Sequence, residues 1–314
     1  MRIAVVMDPL STIDPDHDST YVIMREAHRR GHIVHHVAPA GVEYCGGQAR
    51  LRGRRLDLDD WPTVAGPMAD LDDPDAVLIR TDPPFDADYL AVTQLLDLLP
   101  PRVFVMNRPQ GLRDANEKLA ALRFPDLGPP TLISQDDPTI EAFRLEIGGA
   151  IVVKPLDGHG GAGVFLVRGE DPNRRALIRS ATRGGRSKVV AQAVVEAAEA
   201  GDVRVIVLDG EPLGAVLRRN DRGDFAHNLA VGGRAFKATV GPAERRVCEA
   251  IGPWLKASGL YLAGIYLVGG RLIEVNVTSP TCLQEINRLD GVRLEGAIVD
   301  FVETNVQDRA TRRL

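Results

Sequence analysis

Lysine is nearly missing from this 314-residue chain: five lysines stand among 38 basic residues, and the rest are arginine. The lysines are Lys118, Lys154, Lys188, Lys237 and Lys256, and two of the five, Lys118 and Lys154, fall in the motifs described below, which raises the weight on both. Cysteine is sparser still. Cys45, Cys248 and Cys282 are odd in number and far apart, which excludes a disulfide framework and metal-site spacing. No run reaches membrane-spanning length without charges or glycines. The opening stretch MRIAVV ends at Asp8-Pro9 and reads as a buried first strand, too short for a signal peptide. Excess charge is also lacking. A net charge of −5 excludes a general attraction to nucleic acid or to an anionic membrane. A soluble protein of the reduced cytoplasm is the expectation, long enough for two or three domains around a sizeable core.

What is present is concentrated in Ile151–Arg168, IVVKPLDGHGGAGVFLVR. It reads as strand, glycine-rich turn, strand, with Lys154 just before the turn. Glycines let backbone N–H groups approach phosphate oxygens, and a lysine there adds a point charge. The plainer alternative is a β-hairpin with a flexible tip. Gly158, Gly160 and Gly163 match the dinucleotide-binding spacing, but that fingerprint needs a helix after the glycines. Here the β-prone Val164–Val167 follows. A kinase glycine loop carries its lysine after the loop, and H-R-D and D-F-G are absent. A Walker A ending is absent too. A lysine before a glycine flap fits a different class of ATP site.

Around this motif the chain alternates strands and helices. Strands are expected at Ile3–Met7, Ile33–Val37, Ala76–Arg80 and Val103–Met106, with helices at Ser19–Arg30 and Leu90–Leu99. That pattern predicts an open α/β sheet. Asn107–Leu112 reads as a loop and Asp114–Arg123 as a helix. Pro125–Pro130 reads as a boundary. A small unit follows: Thr131–Ser134, a helix near Ile140–Ile147, the Lys154 hairpin, a helix near Arg174–Ala181 and Val189–Gln192. From Asp202 the pattern is mostly strands, interrupted by a helix near Ala243–Ser258. Asp221–Gly232 is polar and glycine-containing, a candidate mobile loop.

Four segments, NRPQGLRDANEKL (Asn107–Leu119), the Lys154 hairpin, GDVRVIVLDG (Gly201–Gly210) and EVNVTSPTCLQE (Glu274–Glu285), point one way. With VMDP at Val6–Pro9 and RTDPPFD at Arg80–Asp86, they closely resemble bacterial glutathione synthetase, an ATP-grasp ligase, in the same order from residue 1 to about 300. The resemblance implies an α/β (α+β) three-domain ATP-grasp fold. Its parts would be an N-terminal open α/β sheet over 1–122, a small central lid over 123–200 and a C-terminal antiparallel-sheet domain over 201–314. It implies a homo-oligomer, tetramer or dimer, acting on small-molecule substrates: a peptide-like carboxylate and an amino acid. The implied reaction joins γ-glutamylcysteine to glycine with ATP and Mg2+, or Mn2+ in its place, through an acyl phosphate.

The same resemblance assigns residues. Lys118, Lys154 and the amides of Gly160, Gly161 and Gly163 are suited to the phosphates; without the motifs both lysines read as solvated surface residues. Gln192 meets the adenine, although Val194-Val195-Glu196 replaces the family's Tyr-Leu-Pro, and Asp202 belongs to the nucleotide set. Glu274 and Asn276, two apart on one strand face, can hold magnesium; spacing alone favours a solvent-facing alternation. Arg204 and Arg219 match arginines near the reacting carboxylate, and either is otherwise an ordinary surface arginine. Ser279, Pro280 and Thr281 match the segment that grips the peptide substrate. Asn228, Gly232 and Gly233 match the closing loop.

Two positions break the pattern. Tyr266 stands where the family has a metal-ligand aspartate, and a neutral phenol is a poor magnesium ligand beside a carboxylate. A three-residue loop at Gly269-Gly270 puts Tyr266 opposite Glu274; a two-residue loop turns it to the other face. In the closing loop, Ala226-His227 replaces an arginine-glycine, with His227 a loop histidine in preference to a base. Three readings follow: a glutathione synthetase, an ATP-grasp ligase for another acid or amine, or a nucleotide-binding homologue with weakened catalysis.

Overall fold

The computed structural model describes residues 1–60, 62–71, 73–158, 161–220 and 232–311. The N-terminal sheet contains β1 (Arg2–Val6), β2 (Ile33–Val37), β3 (Val42–Cys45), β4 (Gln48–Asp57), β5 (Thr63–Val64), β6 (Ala69–Asp70), β7 (Ala76–Ile79) and β8 (Phe104–Met106). Its order is β3-β4-β2-β1-β7-β8, with β5 and β6 on β4. The parallel strands β2, β1, β7 and β8 form the centre. A sheet covered on both faces selects continuous apolar runs, and β7 (AVLI) is buried at every position. Helices α1 (Ser19–Arg29) and α2 (Ala87–Leu96) begin where Asp18 and Asp86 carboxylates accept from the Tyr21 and Tyr89 N–H groups.

The 107–123 stretch differs from the expected loop and single helix. Helix α3 (Pro109–Asp114) starts inside the expected loop, with Pro109 at its first position. A separate short helix α4 (Glu117–Ala120) follows. The break is Asn116: its side-chain oxygen accepts from the N–H groups of Lys118 and Leu119, both at 3.1 Å. An asparagine that caps a new helix stops the old one.

The central sheet comprises β9 (Thr131–Ser134), β10 (Ile151–Pro155), β11 (Phe165–Val167) and β12 (Val189–Ala193), in the order β11-β10-β12-β9. Helices α5 (Asp137–Glu146) and α6 (Arg174–Ala181) cover it around a small core of its own, including Ile140, Ile151, Val153, Ile178 and Val189. The last sheet is antiparallel: β13 (Asp202–Leu208), β14 (Glu211–Arg219), β15 (Arg234–Lys237), β16 (Leu262–Val268) and β17 (Arg271–Asn276), ordered β15-β14-β13-β16-β17. Helix α7 (Pro242–Ser258) packs on it. Helices α8 (Leu283–Asp290) and α9 (Leu294–Thr311) follow the last strand. Among the described residues no helix is long and apolar enough to cross a membrane.

The first and last sheets share their cores: Val6 and Val77 lie in one cluster with Val205 and Ile265, and Ile3 and Phe104 in another with Ile206 and Ile298. Asn107 ties them by hydrogen bonds. Its Nδ2 donates to the carbonyls of Leu262 and Val277, each at 2.7 Å, and its Oδ1 accepts from Leu262 N–H at 2.8 Å. Replacing Asn107 with alanine leaves these buried backbone groups unpaired. We expect a loss of roughly 3 kcal/mol, read as a lower urea midpoint; an unchanged midpoint would contradict the tie.

Candidate active site

One sheet face supplies the floor of the site. Cross-strand pairing sets Asp202 against Arg218, Arg204 against Tyr266, Tyr266 against Glu274 and Gly264 against Asn276. Period-two alternation then carries Asp202, Arg204, Arg218, Tyr266, Glu274 and Asn276 to a common face. The β16–β17 turn resolves the register question by a third route. Val268 pairs with Arg271, so Gly269-Gly270 is a two-residue loop, and both glycines have positive φ (54° and 73°). A bulge next to Tyr266 inserts Ile273 as the extra residue, which restores Tyr266 to its place opposite Glu274.

The NEKL segment forms one wall. Below the Asn116 cap, Glu117 Oε1 accepts from Val277 N–H (3.1 Å), Thr278 N–H (3.3 Å) and Thr278 Oγ1 (2.8 Å). Lys118 Nζ donates to the Gly158 carbonyl at 2.5 Å and pairs with Glu274 at 3.3 Å. One side chain thus connects the hairpin to the sheet. The hairpin forms the roof, with Gly161 and Gly163 at positive φ (87° and 70°). Lys154 rises from β10 beneath it, 7% exposed, with its ammonium donating to Gln192 Oε1 at 3.1 Å.

The cavity between these parts has a volume of about 450 Å3 and is lined by Lys118, Lys154, Gly161, Arg204, Glu274 and Asn276, among others. Ser279, Pro280 and Thr281 also line it. Arg204 Nη1 donates to Thr281 Oγ1 at 2.8 Å, and the buried Arg80 guanidinium holds the Pro280 carbonyl at 2.9 Å. Burial, with Lys118 alongside, pulls the Lys154 ammonium down to about 8, although Glu274 opposes the shift. Burial, and then the charge of Glu274, push the Glu117 carboxyl above its ordinary value; the Thr278 and Val277 hydrogen bonds pull the other way.

The oxygen set fits a cation. With its amide nitrogen toward Glu117 Oε2 (2.9 Å), Asn276 accepts from Arg204 Nη2 at 3.0 Å. To join Glu274 on a divalent cation beside that carboxylate, the amide would turn over and present its oxygen. Arg204 Nε is buried and without a partner among the described residues, a donor available to an anion.

Other expected residues lie elsewhere. Gln192 sits below Lys154 and also donates to Thr131 Oγ1 at 2.9 Å. The Asp202 carboxylate is held by Arg218 Nη2 at 2.6 Å. Gly163 packs toward Pro155, and Gly232 and Gly233 precede β15; none of the three lines the cavity. Gly160, Asn228 and His227 fall outside the described residues. Arg219 is not brought in: its guanidinium lies over the Phe236 ring, 4.6 Å from the centroid. Its neighbour Arg218 lines the cavity instead. Sequence reasoning missed Arg218, Glu117 and Asp82. Counting strand alternation from Asp202 would have found the first, and the other two stand inside the NEKL and RTDPPFD motifs already singled out.

Three sheets around a cavity of lysines, arginines and paired carboxylates under a glycine hairpin define the ATP-grasp class. In fold the chain is similar to a RimK domain ATP-grasp protein from Sphaerobacter thermophilus, with a TM-score of 0.62 at 21% identity, covering 96% of this chain and 99% of that one. Residues 1–113 match the prokaryotic glutathione synthetase N-terminal domain, and 117–291 the prokaryotic glutathione synthetase ATP-grasp domain. The chain belongs to the prokaryotic glutathione synthetase family. It is 40% identical to the glutathione synthetase of Synechocystis sp., over 96% of this chain and 99% of that one. It is also 40% identical to that of Gloeobacter violaceus, over the full length of both.

Proposed function

We propose that this chain is an ATP- and magnesium-dependent ligase that joins the carboxylate of γ-glutamylcysteine to the amine of glycine. The observation that carries the reading is the convergence of Lys118, Lys154, Arg204 and Glu274 on one cavity, in a chain 40% identical to glutathione synthetases from end to end. Phosphoryl transfer needs mainly positioning and charge neutralisation. Lys118 and Lys154 meet the nucleotide phosphates, so Lys118 exchanges its Glu274 contact for phosphate and frees that carboxylate. Glu274 and Asn276 would then hold magnesium, which when bound would neutralise phosphate charge. The hairpin amides, Gly161 among them, close from above. The central sheet, with its separate core, moves as the lid and keeps water from an acyl phosphate.

Arg204, fixed by Thr281, orients the acid substrate, with Ser279–Thr281 beside it. The carboxylate oxygen attacks the γ-phosphorus, the bond to ADP breaks, and an acyl phosphate forms. The glycine amine attacks its carbonyl carbon, and the tetrahedral species collapses with loss of phosphate and a proton. The test is phosphate release from ATP with γ-glutamylcysteine plus glycine against a panel of other acids and amines. That pair is expected to give the highest kcat/KM. Preference for another pair would reassign the substrates, and no release with any pair would contradict a ligase.

A further inference from the structure

The phenol on the metal-facing side of the sheet is built into a stack of cations. Arg204 and Arg218 lie over the Tyr266 ring, their guanidinium carbons 4.3 and 4.0 Å from its centroid. Both also donate to Tyr266 Oη, Arg218 Nη1 at 2.5 Å. From the far side, Asp202 Oδ1 accepts from Arg218 Nε at 2.8 Å and Nη2 at 2.6 Å. Arg218 and Arg204 are 2% and 6% exposed, and both line the cavity.

This arrangement leaves Tyr266 nothing to offer a metal. A phenolic oxygen has two lone pairs, and two guanidinium N–H groups take them. Magnesium favours charged oxygens in a near-octahedral shell, whereas a cation at Tyr266 would sit against two fixed positive charges. On the neighbouring strand the balance reverses: Glu274 and Asn276, with the Glu117 carboxylate beside Asn276, gather oxygens, and Arg204 reaches only the Asn276 end. A guanidinium presents five N–H groups in a planar fork suited to phosphate. Asp202 and Tyr266 engage three of those on Arg218.

Resting on the ligase reading above, we propose that the site takes a single divalent cation, on the Glu274–Asn276 side, and that Arg218 supplies the opposing positive charge to the transferring phosphoryl group. Arg218 is then a catalytic residue of this chain, touching phosphate directly. Tyr266 is a positioning residue that fixes both guanidiniums at one spacing.

The test counts metal. The full chain is titrated with Mn2+ in the presence of the non-hydrolysable analogue AMPPNP, with bound manganese counted by equilibrium dialysis and electron paramagnetic resonance. One Mn2+ per chain is expected, and any other count with AMPPNP bound overturns the inference. Absence of AMPPNP binding would instead overturn the ligase reading, and this inference with it. Arg218→Met should lower kcat about 100-fold with a much smaller change in the KM for ATP, and Arg218→Lys should recover part of the loss. If burial of Asp202 without its partner prevents folding, Tyr266→Phe serves. It removes one hydroxyl, and a drop in kcat of about tenfold is expected as the guanidiniums lose their common anchor. Unchanged kcat in either folded variant would overturn the assigned roles.

Discussion

Replacing Lys154 with methionine is expected to lower turnover by about a thousandfold while making the protein more stable at neutral pH. The two effects share one cause. Lys154 is buried beside Lys118, and its ammonium is depressed to about 8 from an ordinary value of 10.5. Between those values the unfolded chain binds more protons than the folded one, so stability rises with pH across that window. Below about pH 8 the penalty for the buried charge is complete, on the order of 3 kcal/mol. Methionine keeps the stem and removes the charge, so the melting temperature should rise at pH 7. A triphosphate placed against Lys154 reverses the shift. Nucleotide binding near pH 8–9 should therefore take up protons, measurable by calorimetry in buffers of different ionisation enthalpy. A variant with normal turnover, or binding without proton uptake in that range, would remove Lys154 from the phosphate site.

Glu274→Gln should be nearly as damaging. The substitution keeps shape and removes the charge that pairs with Lys118 at 3.3 Å and raises the neighbouring Glu117. Loss of several kcal/mol of charge stabilisation corresponds to about a hundredfold or more in rate. Mn2+ affinity in the presence of AMPPNP should weaken comparably. The Glu117 carboxyl should return toward its ordinary range, because one of the charges holding it up is gone. Unaltered manganese dependence would place the cation elsewhere.

The site was most legible where chemistry and backbone demands fall on the same few residues. Lys154 before a glycine turn, Lys118 in NEKL and Glu274-x-Asn276 before TSPTC all converge on one cavity. Strand register is less legible, because a shift of one residue moves every side chain to the other face. The family match names Arg219; alternation across β14 sends its neighbour Arg218 to the opposite face, and Arg218 is the one that lines the cavity. The choice between loop lengths at Gly269-Gly270 omitted a bulge at Ile273, which a local sequence signal does not mark.

The fold was read in a similar way. Buried parallel strands such as β1 and β7 stand out as apolar runs. β4 does not, because QARLRGRRLD keeps its arginines on the exposed side and buries only Leu51, Gly53 and Leu56. The α3–α4 break depends on one asparagine oxygen taking two N–H groups. Helix α9 buries Leu294, Ile298, Val299 and Val302 among polar residues, a faint periodicity beside the strands that precede it.

The most direct measurement follows oxygen. γ-Glutamylcysteine labelled with 18O in its cysteinyl carboxylate is turned over with ATP, glycine and magnesium, and the released phosphate is weighed by mass spectrometry. Activation of the carboxyl by the γ-phosphoryl group predicts one 18O atom in each phosphate formed. Product accompanied by unlabelled phosphate would contradict it.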